Sequence, residues 1–184
     1  MKISTYISNA RKMDGVILPE QCHGDRIVHV STGYEDVTQC DALVTENHML
    51  KLGVYTADCA PICFTDGIRV GIAHVGWRGL CVGLIEKMLL EFEMSTLQVF
   101  VGPHLHAFSI QKDFCYEMIL KKFDTTFFIE EEGVVTFQFK NAIASILPSG
   151  TVFDERSTGK DFGIPSHRLE KATKRLITVV SCTE

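Results

Sequence analysis

Apolar and β-branched residues recur along the chain in short runs that predict β-strands. These runs cover residues 26–31, 43–45, 54–56, 69–74, 97–101, 134–139 and 175–181. The pattern changes between residues 78 and 92, where apolar side chains recur every three or four positions, as on one face of an amphipathic helix. Two further helices are predicted over residues 113–123 and 140–147, and the second is ended by Pro148 and Gly150.

The order of these elements favours an α+β fold. Several strands follow one another between Arg26 and His74 before the helix at 78–92, whereas a doubly wound sheet would alternate strands with helices. A chain of 184 residues can bury a sizeable core and falls in the usual range for one domain. No repeat, low-complexity tract or linker composition marks a boundary, so we predict a single domain over residues 1–184.

Composition and charge exclude several classes of function. The apolar fraction of 46% and the charged fraction of 22% are ordinary for a globular protein. The 18 basic and 23 acidic residues give a net charge of −5, and the basic residues are scattered, so nucleic acid is not expected as the main partner. No apolar run reaches the roughly 18 residues of a membrane span, and the first residues lack the apolar core of a signal peptide. We therefore expect a cytoplasmic protein without a membrane partner.

The seven cysteines are an odd number without regular spacing. In a chain without an export signal they are predicted to be free thiols, of which one or more could serve as a metal ligand or a nucleophile. Cys63 is expected in the core, because Pro61 argues against its pairing with Cys59 on a helix.

Reactive side chains gather in three segments, each at the margin of a predicted strand. These segments are residues 21–24, 56–61 and 73–79, and they contribute His23, Cys59 and His74. Strand ends and the loops after them can present side chains to a shared cleft. Two imidazoles and one thiolate suit zinc, and three protein ligands leave a fourth position open, as in catalytic zinc sites.

The spacing of these residues does not by itself establish a metal site. The 36 positions from His23 to Cys59 and the 15 from Cys59 to His74 match no local ligand motif. A buried cysteine can also behave as a small apolar residue, and a histidine near a strand end is often a hydrogen-bonded structural group. Both interpretations therefore remain open from the residues alone.

The residues after His74 carry a separate signal. Gly76 and Gly79 allow the backbone to approach a ligand closely, and Arg78 supplies a forked cation where the predicted helix begins. This arrangement could hold a phosphate or carboxylate, or it could be a plain strand-to-helix turn with a surface arginine.

Two other polar groups give weaker signals. His104 and His106 alternate, so in a strand they would share a face and could bind metal, but they follow Gly102 and Pro103 and are expected in a loop. The run 166–168, Ser-His-Arg, is a compact polar cluster that could reach a site, although the tripeptide alone is not specific.

With these residues identified, the chain resembles the multicopper polyphenol oxidoreductase (laccase-like) family. Members of this family are also described as zinc-dependent purine nucleoside phosphorylases and, in bacteria, as peptidoglycan editing factors. Residues 40–45, 52–61 and 73–79 resemble the central family signature, and Gln21, His23 and Gly24 match its Gln-x-His-Gly element. Weaker matches are residues 101–103 with 109–110, Ser157-Thr158 and Ser166-His167-Arg168.

The resemblance implies a fold and a set of site residues. The fold is a layered α/β/β/α sandwich with mixed sheets, related to proteins regarded as cysteine hydrolases. The metal ligands are His23, Cys59 and His74, with zinc as the expected ion and copper also acceptable. Catalysis is assigned to these three ligands and Arg78. Substrate binding is assigned to Gln21, Asp58, Gly76, Trp77 and His167. Only 20 residues precede Gln21, where relatives usually carry more, so we expect a short member that lacks part of the substrate pocket.

The activity implied by the resemblance is phosphorolysis of adenosine, inosine, guanosine or methylthioadenosine, with adenosine deamination as a further activity. In deamination Asp58 is the adjacent acid, although it could equally be a structural carboxylate. The alternatives are an amide hydrolase for cell-wall precursors that uses Cys59 and His74, a copper-dependent polyphenol oxidase, and a non-catalytic binding protein. The expected partners are a nucleoside and phosphate, and the expected assembly is a monomer or homodimer.

Overall fold

The computed structural model describes residues 1–9, 12–161 and 163–182, and most of its regular structure is β-sheet. The strands are β1 Lys2–Ser8, β2 Ile27–His29, β3 Ala42–Thr45, β4 Lys51–Thr56, β5 Ala60–Thr65, β6 Val70–Val75, β7 Gln98–Val101, β8 Phe108–Ile110, β9 Phe128–Glu131, β10 Val134–Phe137, β11 Val152–Phe153 and β12 Arg175–Ser181. The helices are α1 Trp77–Cys81, α2 Leu84–Leu89, α3 Phe114–Lys122, α4 Phe139–Ile146 and α5 His167–Glu170, with a 3-10 turn at Thr125–Phe127.

A six-stranded mixed sheet forms the centre, in the order β11-β7-β5-β6-β3-β2. Its outermost pairs, β11 with β7 and β2 with β3, are parallel, and the other neighbours are antiparallel. Every residue of β5 and β6 is buried, which explains why these strands are apolar on both faces. The register places Pro61 opposite His74.

Two apolar clusters cover the two faces of this sheet. Phe64 belongs to the cluster that contains the buried residues of α1 to α4, whereas its neighbour Cys63 belongs to the cluster with Leu52, Val54 and Val180 of a second sheet. That second sheet has three strands in the order β1-β12-β4. Because successive strand residues point to opposite faces, one strand joins both halves of the core.

The α+β class and the layered arrangement with mixed sheets are confirmed. Helices α1 to α4 pack on one face of the six-stranded sheet, and the three-stranded sheet packs on the other. An irregular segment approaches the three-stranded sheet closely: a Cβ on Gly53 would lie 2.9 Å from Val16 and 3.0 Å from Leu18. A third small sheet, β8-β10-β9, completes the β-structure.

The single helix predicted over residues 78–92 is wrong, because the chain forms two short helices there. Gly83 has a φ of 87°, a left-handed conformation that ends the first helix and that glycine adopts without steric cost. The apolar period continues across the break, since Leu80, Leu84, Ile85 and Met88 are all fully buried. Periodicity therefore identified the buried face but not the interruption.

The other predicted helices and strands are present, β12 with the predicted ends and the rest with shifted ends. Asp113 is the N-cap of α3, where its side chain accepts hydrogen bonds from the backbone of Cys115 and Tyr116. Five strands were not predicted: β1, β5, β8, β9 and β11. No described helix is long and apolar enough to cross a membrane. The single domain over residues 1–184 stays a prediction.

Candidate metal centre and its cavity

His23, Cys59 and His74 come together at one end of the six-stranded sheet. One donor atom from each side chain lies within 4.8 Å of the others, and this is the only such His, Cys, Asp or Glu cluster among the described residues. His74 is in the buried strand β6, Cys59 is in the loop between β4 and β5, and His23 is in the segment before β2. The exposure falls from His23, which is exposed, through half-buried Cys59 to buried His74.

Asp41, which precedes β3, holds two of these segments in place. Its Oδ1 lies 2.7 Å from Nδ1 of His74, which leaves Nε2 of that ring for a ligand. The same carboxylate accepts backbone N–H bonds from Cys22 at 3.1 Å, His23 at 3.0 Å and Gly24 at 2.7 Å. Sequence reasoning missed Asp41 as a site residue, although a fully buried carboxylate needs such partners.

The electrostatics of the cluster favour ionised ligands. Burial of Asp41 opposes its ionisation, but the hydrogen bonds from His74 and Gly24 outweigh it and lower its pKa to about 2. Burial also opposes the thiolate of Cys59, yet the charge of His74 and the hydrogen bond from His23 lower the pKa of Cys59 below its usual value. For His74, the effect of burial is outweighed by Cys59 and Asp41, which raise its pKa.

Gly76 leaves the space that this cluster needs. A Cβ at this position would lie 3.0 Å from Sγ of Cys59 and 3.1 Å from Cδ2 of His23. Any other residue would therefore press against two of the three donor side chains. One thiolate and two imidazoles, close together and oriented by a buried carboxylate, form a donor set that suits zinc and also accepts copper.

A cavity of about 250 Å³ opens beside the cluster. His23 and Cys59 line it, whereas His74 does not. Five further residues assigned to the site also line it: Asp58, Gly76, Trp77, Arg78 and His167. The structure also places Leu105, Phe108, Phe139 and Arg168 in its wall, and these were not assigned from the sequence. A larger cavity of about 820 Å³ adjoins it and shares Trp77, Phe108 and Arg168.

Gln21 is not among the residues that line this cavity in the described chain. Its side-chain amide donates to the carbonyl of Tyr55 at 2.8 Å and accepts from the N–H of Tyr55 at 2.9 Å. This pair of bonds joins the segment that carries His23 to the end of β4, close to the loop that carries Cys59. The contacts of Gln21 in the structure are thus those of a scaffold residue.

Asp58 connects the ligand loop to the C-terminal part of the chain. Its Oδ1 accepts hydrogen bonds from Thr158 at 2.8 Å and Ser166 at 2.6 Å, and its Oδ2 accepts from the backbone N–H of Arg168 at 2.7 Å. Its φ of 94° is unusual for a residue other than glycine. These contacts favour the structural role of Asp58 and bring residues 166–168 to the cavity.

His104 and His106 form a separate pair outside the cluster. Nδ1 of His104 bonds the carbonyl of Gly102 at 2.8 Å, and the Nε2 atoms of both rings are buried with no hydrogen-bond partner among the described residues. Burial lowers the pKa of His104 to about 4. The seven cysteines are free thiols, and Cys63 is fully buried, as predicted.

Comparison with known proteins agrees with the resemblance seen in the sequence. The purine nucleoside phosphorylase of Aquifex aeolicus is 28% identical over 191 residues, which cover 98% of this chain and 90% of that protein. Purine nucleoside phosphorylase SERP0752 of Staphylococcus epidermidis is also 28% identical, over 91% of this chain and 73% of its own. A protein named adenosine deaminase RL5, from an unknown prokaryotic organism, is 33% identical over 58% of this chain and 44% of its own.

Solved structures show the same fold. YlmD from Geobacillus stearothermophilus superimposes with a TM-score of 0.80 at 23% identity, over 93% of this chain and 74% of that one. The Bacillus licheniformis hypothetical protein YfiH gives a TM-score of 0.77 at 21% identity, over 92% and 74%. The family model described as multi-copper polyphenol oxidoreductase laccase matches residues 4–180. The chain therefore belongs to the multi-copper polyphenol oxidoreductase laccase family.

Proposed function

We propose that this protein is a zinc-dependent purine nucleoside phosphorylase. The observation that carries the proposal is a His-Cys-His cluster at the edge of a cavity. Two members of the cluster, His23 and Cys59, line that cavity, together with two arginines and the rings of Trp77, Phe108 and Phe139. The names of the two relatives from Aquifex and Staphylococcus support the same reaction. The proposed substrates are a purine nucleoside and inorganic phosphate.

His23, Cys59 and His74 would hold the metal, and Asp41 would keep His74 in the tautomer that presents Nε2. A bound divalent zinc ion would supply a positive charge that stabilises negative charge developing in the transition state. Copper would fit the same donors, so the metal in the purified protein has to be measured.

The cavity residues can bind the two reactants separately. Trp77 offers an aromatic surface on which a purine ring can stack, and Leu105, Phe108 and Phe139 make the wall around it apolar. Arg78 lies in the same wall and is suited to phosphate through its forked N–H groups. In phosphorolysis a phosphate oxygen forms the new bond to C1′ of the ribose, the C1′–N9 bond breaks, and the purine leaves with the bonding electrons and takes up a proton.

The test is chromatography of zinc-loaded protein incubated with inosine or adenosine, with and without phosphate. We expect phosphate-dependent release of free purine and ribose 1-phosphate, which a His74→Ala variant loses. His48→Ala is the matched control, because His48 is exposed and does not belong to the His-Cys-His cluster. Unchanged inosine and adenosine at full zinc content would reject the proposal.

Adenosine deamination is a second candidate, because one relative carries that name. The same experiment separates the two reactions, since deamination converts adenosine to inosine without phosphate. An amide hydrolase would instead use the lowered pKa of Cys59 beside His74, and it would stay active in chelator. Loss of turnover on chelation, restored by zinc, therefore favours the metal-dependent candidates.

A further inference from the structure

Arg168 is a second arginine in the cavity wall, and the proposed function has not given it a role. It lies in the short helix α5 and lines both the 250 Å³ cavity and the larger one beside it. Its backbone N–H donates to Asp58 at 2.7 Å, and Asp58 precedes the ligand Cys59 in the chain. The position of Arg168 is therefore fixed relative to the ligand cluster rather than to a remote part of the surface.

The side chain of Arg168 is held by an aromatic ring and by one hydrogen bond. Its guanidinium carbon lies 4.5 Å from the centre of the Phe108 ring, and Nη1 donates to the carbonyl of Ser109 at 3.3 Å. A guanidinium has five N–H donors, so this cation–π contact and one hydrogen bond leave most of its donors available. Because the side chain is already restricted, it loses less conformational entropy when a ligand binds.

Arg78 is arranged in the same way in the other part of the wall. Its guanidinium carbon lies 5.2 Å from the centre of the Trp77 ring. Neither arginine forms an ion pair in the described ranges 1–9, 12–161 and 163–182. Other arginines, such as Arg69 and Arg156, are paired with carboxylates.

The remaining charge in the cavity does not satisfy these two cations. Asp58 is the only carboxylate that lines the 250 Å³ cavity among the described residues. Both of its oxygens already accept hydrogen bonds, from Thr158, Ser166 and the backbone of Arg168. Two unpaired guanidiniums in one cavity of a protein with a net charge of −5 mark a local site for an anion.

We propose that Arg168 and Arg78 together bind the phosphate that attacks the nucleoside, as two guanidiniums facing one tetrahedral anion. This inference rests on the proposed phosphorylase function, and it assigns Arg168 as a phosphate-binding residue. Two forked donors hold phosphate in a fixed orientation, which a single exposed arginine does not. Asp58 acts as the positioning residue that keeps Arg168 beside the ligand loop.

The direct test is calorimetric titration of inorganic phosphate into wild-type protein and Arg168→Met at equal measured zinc content. Methionine keeps the apolar contact with Phe108 but removes the charge, and we expect phosphate affinity to fall by about 10- to 100-fold. Arg168→Lys should lie between the two, because it keeps the charge without the fork. Lys112→Met is the control, since Lys112 lines only the larger cavity and pairs with Glu130.

Steady-state kinetics separate phosphate binding from a structural role. We expect Arg168→Met to raise the KM for phosphate by at least about 10-fold while the KM for inosine changes far less. Unchanged phosphate affinity in Arg168→Met, with or without a lower melting temperature, would overturn the assignment. If phosphate affinity falls as expected but no nucleoside is consumed by the wild-type protein, the anion site stands and the phosphorylase proposal fails.

Discussion

Two pairs of histidines in this protein are similarly spaced but have different neighbours. The ring centres of His23 and His74 are 4.8 Å apart, and those of His104 and His106 are 5.1 Å apart. The first pair lies with a thiol and next to the buried carboxylate of Asp41. The second pair packs near Phe139 and Phe153.

The neighbours, and not the imidazoles, decide what each pair can do. Buried His74 and buried His104 both lose hydration, but Cys59 and Asp41 more than offset this for His74 and raise its pKa. Among the described residues the ring of His104 has one hydrogen-bond partner, the carbonyl of Gly102, and burial lowers its pKa to about 4. A thiolate and a carboxylate thus distinguish a candidate metal site from a pair of core histidines.

The largest effect is expected when the thiolate is removed. Cys59→Ala should abolish stoichiometric zinc and lower turnover by more than the roughly 100-fold that is typical of changes around a metal ligand. Metal analysis of the purified variant measures the first effect. Cys63→Ala is the matched control: it removes a fully buried thiol from the core, so it should lower stability but keep its zinc. Full zinc content in Cys59→Ala would place the metal elsewhere.

Neutralising the carboxylate beside His74 should have the next largest effect. Asp41→Asn removes the charge that orients the imidazole, and we expect zinc affinity to fall by about 10- to 100-fold in competition with a chromophoric chelator. Asp66→Asn is a matched control, since Asp66 also accepts backbone N–H bonds, from Ile68, Arg69 and Glu93, but away from the cluster. Equal zinc affinities in the two variants would mean that Asp41 only supports the fold.

The other histidine pair should respond to acid rather than to metal. Because the pKa of His104 is lowered from 6.5 to about 4, the unfolded chain binds a proton in this interval that the folded protein does not. Stability should therefore decrease as the pH falls from 6.5 to 4, by about 1.4 kcal/mol per pH unit from this residue. In urea unfolding, the pH slope of the wild type should exceed that of His104→Gln by this amount, and the difference in stability should be constant above about pH 7.

The smallest change in stability is expected at His106, the second histidine of this pair. His106→Leu removes a buried nitrogen that has no hydrogen-bond partner, so the free energy of unfolding should change by about 1 kcal/mol or less, in the stabilising direction. Its zinc content should equal that of the wild type, whereas His23→Leu should lose zinc. A His106→Leu protein that loses zinc would remove the distinction between the two pairs.

The sequence predicted the three clustered donor residues better than the groups around them. His23, Cys59 and His74 stand in short polar segments at strand margins, so both their residue types and their resemblance to a family signature are visible in the chain. Asp41 stands in the segment 40–45 that resembles the signature, but its role was not visible, because its partners include backbone N–H groups from residues 17 to 19 positions away and a ring 33 positions away. Such contacts depend on strand pairing that periodicity does not specify.

The fold shows the same limit. The three-to-four-residue spacing of apolar side chains identified the buried face of residues 78–92, but Gly83, in a left-handed conformation, divides the helix. Strand β5 was missed because Pro61 argues against regular structure, although Pro61 pairs with His74 there. Strand β1 is largely exposed, so it lacks the alternation of apolar and polar residues that identifies a half-buried strand.

The hydrogen bonds of Asp41 also bear on the order in which the protein folds. The carboxylate can be satisfied only after β3 has paired with β6 and the segment at 22–24 has closed over it, so the proposed zinc site would form only late in folding. Until then, seven free thiols compete for zinc without a preformed geometry. Refolding in excess zinc should consequently be slower than refolding in chelator followed by zinc.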